Sequence, residues 1–205
     1  MDKKALIVAS GNRNKIEEIK SIMNLLDWDI RGAGEFDGFV LPEETGTSYE
    51  ENAFIKAKAC VDSLKLPSLA DDSGLEVDIL DGAPGVISSK YGGIEGDSKR
   101  NIEKLLGELE GVPWEKRKAR FVCCALLILP DGYTHTEWGI VEGYVNFAPV
   151  GEKGFGYDPI FVPNGYHKTF AQFEQSEKNK ISHRGLAFKK MAEFIRSITY
   201  GNSSL

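Results

Sequence analysis

Leu69-Ala70-Asp71-Asp72-Ser73-Gly74-Leu75-Glu76-Val77 sets two adjacent carboxylates in apolar sequence, just where a strand should end. Neighbouring acids repel one another unless a cation or a proton relieves them, so the pair points to cation chemistry. A solvated turn is the structural alternative, because Asp, Ser and Gly all form turns. A second candidate is Ser10-Gly11-Asn12-Arg13-Asn14-Lys15, which follows an apolar run and precedes a helical period. Backbone N–H groups of such a turn, with the Lys15 ammonium, can converge on an anion. The segment lacks the glycine count and the Gly-Lys-Ser/Thr ending of a Walker loop, so a turn that binds nothing stays open. A third is Gly154-Phe155-Gly156-Tyr157-Asp158-Pro159, where glycines let the backbone approach a ligand and two aromatics offer flat faces. Its alternative is a loop whose aromatics anchor it in the core.

These groups need elements to hold them. Residues 5–9 are a continuous apolar run of strand length, and Ile16, Ile19, Met23 and Leu26 then recur at helical spacing, with Asn14 and Glu17 as the expected cap. Glu43-Glu44-Thr45-Gly46-Thr47-Ser48 is a polar loop. Ser48 and Glu51 form the box that opens a second helix, with Ala53, Ala57, Cys60, Val61 and Leu64 on one face and Lys56 and Lys58 off it, where lysine is normally solvated. Acids gathered at that helix's start are also what its dipole favours without any catalytic purpose. Leu75, Val77 and Ile79 alternate with acids as in a half-buried strand, and tight turns follow at Asp81-Gly82 and Ala83-Pro84-Gly85. A helix carrying Ile102, Leu105, Leu106 and Leu109 comes next. Residues 121–129 then read as a central strand that Pro130-Asp131-Gly132 turns back into an antiparallel partner over 133–141, which makes the sheet mixed. Ser182 is the expected N-cap of a last helix with His183 and Arg184 on its first turn and Ala187, Met191, Phe194, Ile195 and Ile198 inward.

At 205 residues, 41% hydrophobic and 27% charged, the chain fits one folded domain. Its net charge of -6 disfavours extended binding to a nucleic-acid polymer, while a small anion remains compatible with a locally basic site. Met1-Asp2-Lys3-Lys4-Ala5 runs into a short apolar segment without a signal-peptide core, and nothing reaches membrane-spanning length, so no membrane partner and a cytoplasmic location are expected. Cys60, Cys123 and Cys124 are an odd number with two adjacent, which suits reduced buried thiols rather than a disulfide framework or zinc site. His135 and His167 lack Cys or His partners at ligand spacing, so both are expected to be structural or exposed.

Taken in order, the blocks Ser10-Gly11-Asn12-Arg13-Asn14-Lys15, Glu44-Thr45-Gly46 through Glu51-Asn52-Ala53, Ala70-Asp71-Asp72-Ser73-Gly74-Leu75, Gly82-Ala83-Pro84-Gly85-Val86, Gly154-Phe155-Gly156-Tyr157-Asp158-Pro159 and Lys178 through Ser182-His183-Arg184-Gly185 resemble those of the inosine/xanthosine triphosphate pyrophosphatases. The likeness spans nearly the whole chain. Ile87, Lys90 and Gln172-Phe173 depart from the family pattern, outside the expected phosphate and metal contacts. The resemblance implies an α/β fold of ITPase-like type, an elongated mixed β-sheet flanked by helices. One domain would span 1–200, with two lobes and the site in the cleft between them, and 201–205 would be a frayed tail.

The activity so implied is Mg²⁺-dependent cleavage of a purine nucleoside triphosphate (ITP, dITP or XTP) between the α and β phosphates, by a homodimer. Glu44 and Asp72 would hold Mg²⁺, Asp72 would also accept the water's proton, and Asp71 would support it or share the metal. Ser10, Gly11, Asn12, Arg13, Asn14 and Lys15, with Lys56 and Ser73, would contact the phosphates. Around the base, Phe155 would stack within the Phe155-Gly156-Tyr157-Asp158 segment, and Asp158 would accept from N1–H. Lys178 would donate near the 2-position, and His183 and Arg184 would donate to O6, which adenine lacks. Rival readings are a pyrophosphatase for modified pyrimidine triphosphates and a nucleotide-binding module without hydrolysis. The Ser182-His183-Arg184 block disfavours the first, and the acids Glu44, Asp71 and Asp72 the second.

Overall fold

The apolar run near the N-terminus forms β1 (Lys4–Val8), whose Leu6, Ile7 and Val8 are fully buried. In the computed structural model residues 4–24 and 27–200 are described. Leu26, expected on the first helix's stripe, and the tail 201–205 lie outside the described residues. β1 pairs in parallel with β2 (Trp28–Gly32), Lys4 opposite Trp28 and Val8 opposite Gly32, and on its other side with β3 (Ser68–Val77), Ile7 opposite Ser68. The sheet order is β2-β1-β3-β4-β5-β6, with β4 at Lys118–Ile128, β5 at Thr134–Val145 and β6 at Phe161–Pro163. β5 and β6 are antiparallel. Leu129 N–H donates to the Tyr133 carbonyl at 2.9 Å across the turn joining β4 and β5, a link too short for a parallel crossover. The sheet is therefore mixed and the fold α/β. β4 is buried almost throughout, as its continuous apolar run requires, and β5 runs four residues beyond the expected end at Val141.

Two compact units divide the chain, the first comprising Met1–Asp72, Cys123–Gly139 and Arg184–Leu205, the second Ser73–Val122 and Ile140–His183. In the first, α1 (Arg13–Ile22) and α2 (Tyr49–Leu64) follow β1 and the acidic loop. Asn12, rather than Asn14, caps α1, its Oδ1 accepting from the Asn14 and Lys15 amides at 3.0 and 3.2 Å. Helical φ/ψ begins one residue after Asn12, so its side chain is the one placed to reach them. The Ser48–Glu51 box opens α2 as the spacing predicts. The core joins Leu6, Val8, Ile19, Met23 and Leu69 to Ala187, Phe188, Met191 and Ile195 of α5 (His183–Tyr200). Ile198, expected inward, is exposed, because the buried stripe of α5 is carried by Ala187, Phe188, Met191, Ala192 and Ile195.

In the second unit α3 (Ser98–Glu108) packs Ile102 and Leu105, with Leu109 just beyond it, against Leu75, Val77, Phe121, Phe161 and Phe170. Arg117 is buried and donates to the carbonyls of Leu109 and Val145 at 2.8 Å and of Asn146 at 3.0 Å, satisfying groups that the end of α3 and the strand leave open. Ile79 falls in a 3-10 turn (Asp78–Leu80) and is exposed, so the alternation ends at Val77. α4 (Gln175–Ile181) is a seven-residue helix without an apolar stripe long enough to be legible in the sequence.

Candidate functional site

The paired acids occupy the middle of β3, and both are buried, Asp71 completely and Asp72 to 4% exposure. A solvated turn is excluded, and the expectation that the strand stops at the pair is corrected. Successive strand residues face opposite sides of a sheet, so the two carboxylates are separated and their nearest cations differ. The Asp71 Oδ2 accepts from Arg184 Nη2 at 2.9 Å and Nε at 3.2 Å, and lies 3.2 Å from Lys15 Nζ. Arg184 Nη1 donates to Glu18 Oε2 at 2.7 Å, with Arg184 2% and Glu18 4% exposed. Burial alone would raise the Asp71 carboxyl, but Lys15 and Arg184 overcome it and hold it well below the usual carboxylate range. Asp71 is thus a fixed anion that orders two cations. Glu18 carried no sequence signal beyond lying on a predicted helix.

Asp72 faces a different set. Lys56 Nζ donates to Glu44 Oε1 at 2.5 Å and to the Asp71 carbonyl at 2.8 Å, and lies 3.9 Å from Asp72 Oδ1. Expected in solvent, Lys56 is 5% exposed, because three acids from the loop and β3 replace its hydration. Burial tends to deprotonate Lys56, yet Asp72, Glu44 and Asp71 together raise its pKa. For Asp72 the balance is reversed. Burial, against the opposing pull of Lys56 and Lys15 and with help from the like charge of Glu44, pushes its carboxyl up to about 6.

Glu44 and Asp72 therefore flank one buried cation with hard oxygen donors, and a further cation would relieve the carboxyl that burial has strained. Two carboxylates suit Mg²⁺, which keeps several waters. Among the described residues no group of three or more His, Cys, Asp and Glu gathers as an all-protein metal cage. The Ser10–Lys15 turn closes on the same unit. Ser10 Oγ accepts from Asn12 N–H at 3.2 Å, and residues 11–14 are exposed.

The second unit holds the other candidates. Asp158 and Lys178, each 2% exposed, form an ion pair of 2.5 Å, and Asp158 Oδ2 also accepts from the Phe155 amide at 2.8 Å. Lys178 Nζ sits 5.0 Å from the Phe155 ring centre, within cation–π range. A Cβ at Gly154 would strike the Asp158 carboxylate, whereas Gly156, at φ +61, faces open space. Only the second of these glycines leaves room for a ligand. Tyr157 takes the core-anchoring alternative instead of presenting a flat face: it is 4% exposed and its hydroxyl donates to the Ser88 carbonyl at 3.0 Å. The buried His183 imidazole stacks on Phe121 with ring centres 4.5 Å apart. Ser73 begins this unit's part of β3 and is partly buried. Cys60, Cys123 and Cys124 are free and buried as expected, and burial pushes the Cys60 and Cys124 thiols up to about 12.

Fold and site together define an α/β protein in which carboxylates and ammonium groups are gathered in one buried cluster. A sequence model of the Ham1 family matches residues 6–194, and the chain belongs to that family. The dITP/XTP pyrophosphatase of Halalkalibacterium halodurans is 43% identical over 192 residues, covering 94% of this chain and 99% of that protein. That of Bacillus subtilis is 43% identical over 194 residues, covering 95% of this chain and 98% of that protein. The Staphylococcus aureus Ham1 protein structure matches with a TM-score of 0.83 at 39% identity, covering 95% of this chain and 100% of that one.

Proposed function

We propose that this chain is a Mg²⁺-dependent nucleoside triphosphate pyrophosphatase acting on non-canonical purine nucleotides (ITP, dITP and XTP), releasing the monophosphate and pyrophosphate. The observation that carries the reading is the arrangement of Glu44, Lys56 and Asp72, two carboxylates around one buried ammonium. The dITP/XTP pyrophosphatases that are 43% identical over 94% or more of the chain support the same reaction.

In this reading Glu44 and Asp72 hold the metal. Bound there, Mg²⁺ supplies opposing charge to the phosphates and lowers the pKa of a coordinated water. Asp72 accepts the proton as the water's oxygen bonds to phosphorus and the α–β bridging P–O bond breaks. Without metal, burial holds the Asp72 carboxyl near 6, and a cation bound beside it would lower that value and keep the group ionised at neutral pH. Lys15 and Lys56 balance phosphate charge, and Ser73 donates to a phosphate oxygen. Asp71 takes no proton, since Lys15 and Arg184 keep it ionised, and its role is to hold Lys15 in place.

For the base, Phe155 is the stacking face, and His183 and Lys178 are the donors to the O6 and 2-position side. Arg184, engaged by Asp71 and Glu18, is reassigned from a base donor to the support of Asp71. Three free buried thiols suit a reducing compartment such as the cytoplasm, and a homodimer is the assembly that the family likeness implies. Sedimentation tests the assembly. The deciding experiment measures pyrophosphate release from ITP, dITP, XTP, GTP and ATP, with and without Mg²⁺, for wild type and Asp72→Asn. Loss of about 10²–10⁴-fold in the variant is expected for removal of a general base, and activity near wild type overturns the assignment.

A further inference from the structure

We infer that Asn52 is a positioning residue: its carboxamide ties the Glu44 loop to the Asp72 carboxylate and so sets the spacing and orientation of the two metal-binding acids. The inference rests on the Mg²⁺ reading given above.

Asn52 is the fourth residue of α2 and is 2% exposed. Its Oδ1 accepts from the Gly46 amide at 2.8 Å, and its Nδ2 donates to Asp72 Oδ2 at 3.2 Å. The orientation of the amide follows from its neighbours, because a backbone N–H only donates and an ionised carboxylate only accepts. One rigid planar group thus bridges a loop two residues beyond Glu44 and a side chain twenty residues along the chain.

Two further features point the same way. Gly46 is pressed onto the start of α2 so closely that a Cβ there would lie 2.7 Å from Asn52 Oδ1 and 2.7 Å from Glu51 Cβ. The loop therefore reaches its hydrogen bond only with glycine at this position. On β3, Asn52 holds Oδ2 of Asp72 while Oδ1 turns to Lys56, 3.9 Å away and itself bound to Glu44. The oxygen held by Asn52 fixes the carboxylate plane, and the other is presented towards the cation. Partners that orient metal ligands in this way change metal affinity by about 10–100-fold when removed.

Asn52→Ala and Gly46→Ala test the inference. Each is titrated with Mn²⁺ alone, free Mn²⁺ being read by electron paramagnetic resonance, and with Mg²⁺ in ITP hydrolysis. Both are expected to bind Mn²⁺ about 10–100-fold more weakly and to raise the half-activating Mg²⁺ concentration by a similar factor. At saturating Mg²⁺ the defect should fall on kcat, with KM for ITP held within about twofold, because neither residue is assigned a nucleotide contact. Variants with wild-type Mn²⁺ binding and Mg²⁺ response overturn the inference alone. A wild-type protein indifferent to divalent cations brings down the Mg²⁺ reading and the inference with it. Should Asn52→Ala fail to fold, Gly46→Ala, altered in a partly exposed loop, decides the matter by the same criteria.

Discussion

Replacing Asp72 by Asn should stabilise the protein while cutting turnover by about 10²–10⁴-fold. Asp72 is buried at 4% exposure, and its carboxyl is held at about 6 instead of the ordinary 3.8. Between those values the folded state keeps a proton that the unfolded chain has lost, so stability falls as pH rises from about 4 to about 6. Above pH 6 the folded protein carries the full penalty of the ionised group, about 3 kcal/mol at about 1.4 kcal/mol per pH unit. Asn is near-isosteric, stays neutral, and its oxygen can still accept from Asn52. Asp72→Asn should therefore gain up to about 3 kcal/mol at pH 8, or roughly 6–12 °C in Tm for a chain of this size. Urea unfolding of both proteins from pH 4 to pH 8 is the assay. The gap should be largest at pH 8 and close towards pH 4, where wild-type Asp72 is also protonated. A variant no more stable than wild type at pH 8, or a gap that ignores pH, refutes the reasoning. Added Mg²⁺ should narrow the gap by stabilising wild type alone.

Arg184→Ala leaves Glu18 and Asp71 buried without their shared cation, and urea unfolding at pH 7 should show a loss of about 3–5 kcal/mol, in place of the activity-specific defect expected from a base donor. Lys56→Met removes the ammonium between Glu44 and Asp72. Since Lys56 holds the Asp72 carboxyl down, the acid limb of the pH–rate profile should move to higher pH, along with a loss of kcat of about 10²-fold or more. The three free thiols should resist a thiol reagent in the folded protein and all react in urea, since burial raises their pKa values and blocks access.

Local order was readable where neighbours in sequence are neighbours in space. The Ser48–Glu51 box, the turn at Pro130-Asp131-Gly132 and the start of α5 at His183 rest on contacts within a few residues, and each appears where capping and turn chemistry placed it. The cap of α1 moved by two residues for the same reason in reverse: Asn12 and Asn14 both suit a cap, and only the backbone decides which has helical φ/ψ. Ile198 is exposed and Lys56 buried, against their local patterns, because exposure depends on what packs against a residue and no local pattern encodes that.

By itself the sequence determined the residue types, the periods that make strands and helices, and the ordered polar blocks that carry the family likeness. Tertiary structure alone decided what the two adjacent acids are. β3 sends Asp71 and Asp72 to opposite sides, and cations from distant parts of the chain then treat them differently. Arg184, 113 residues beyond Asp71, and Lys15 keep that carboxylate ionised, whereas burial outweighs Lys56 at Asp72 and raises it. Charge interactions fall off over a few ångströms in space regardless of separation along the chain, so the difference between a fixed anion and a base arises only once the fold has brought those groups together.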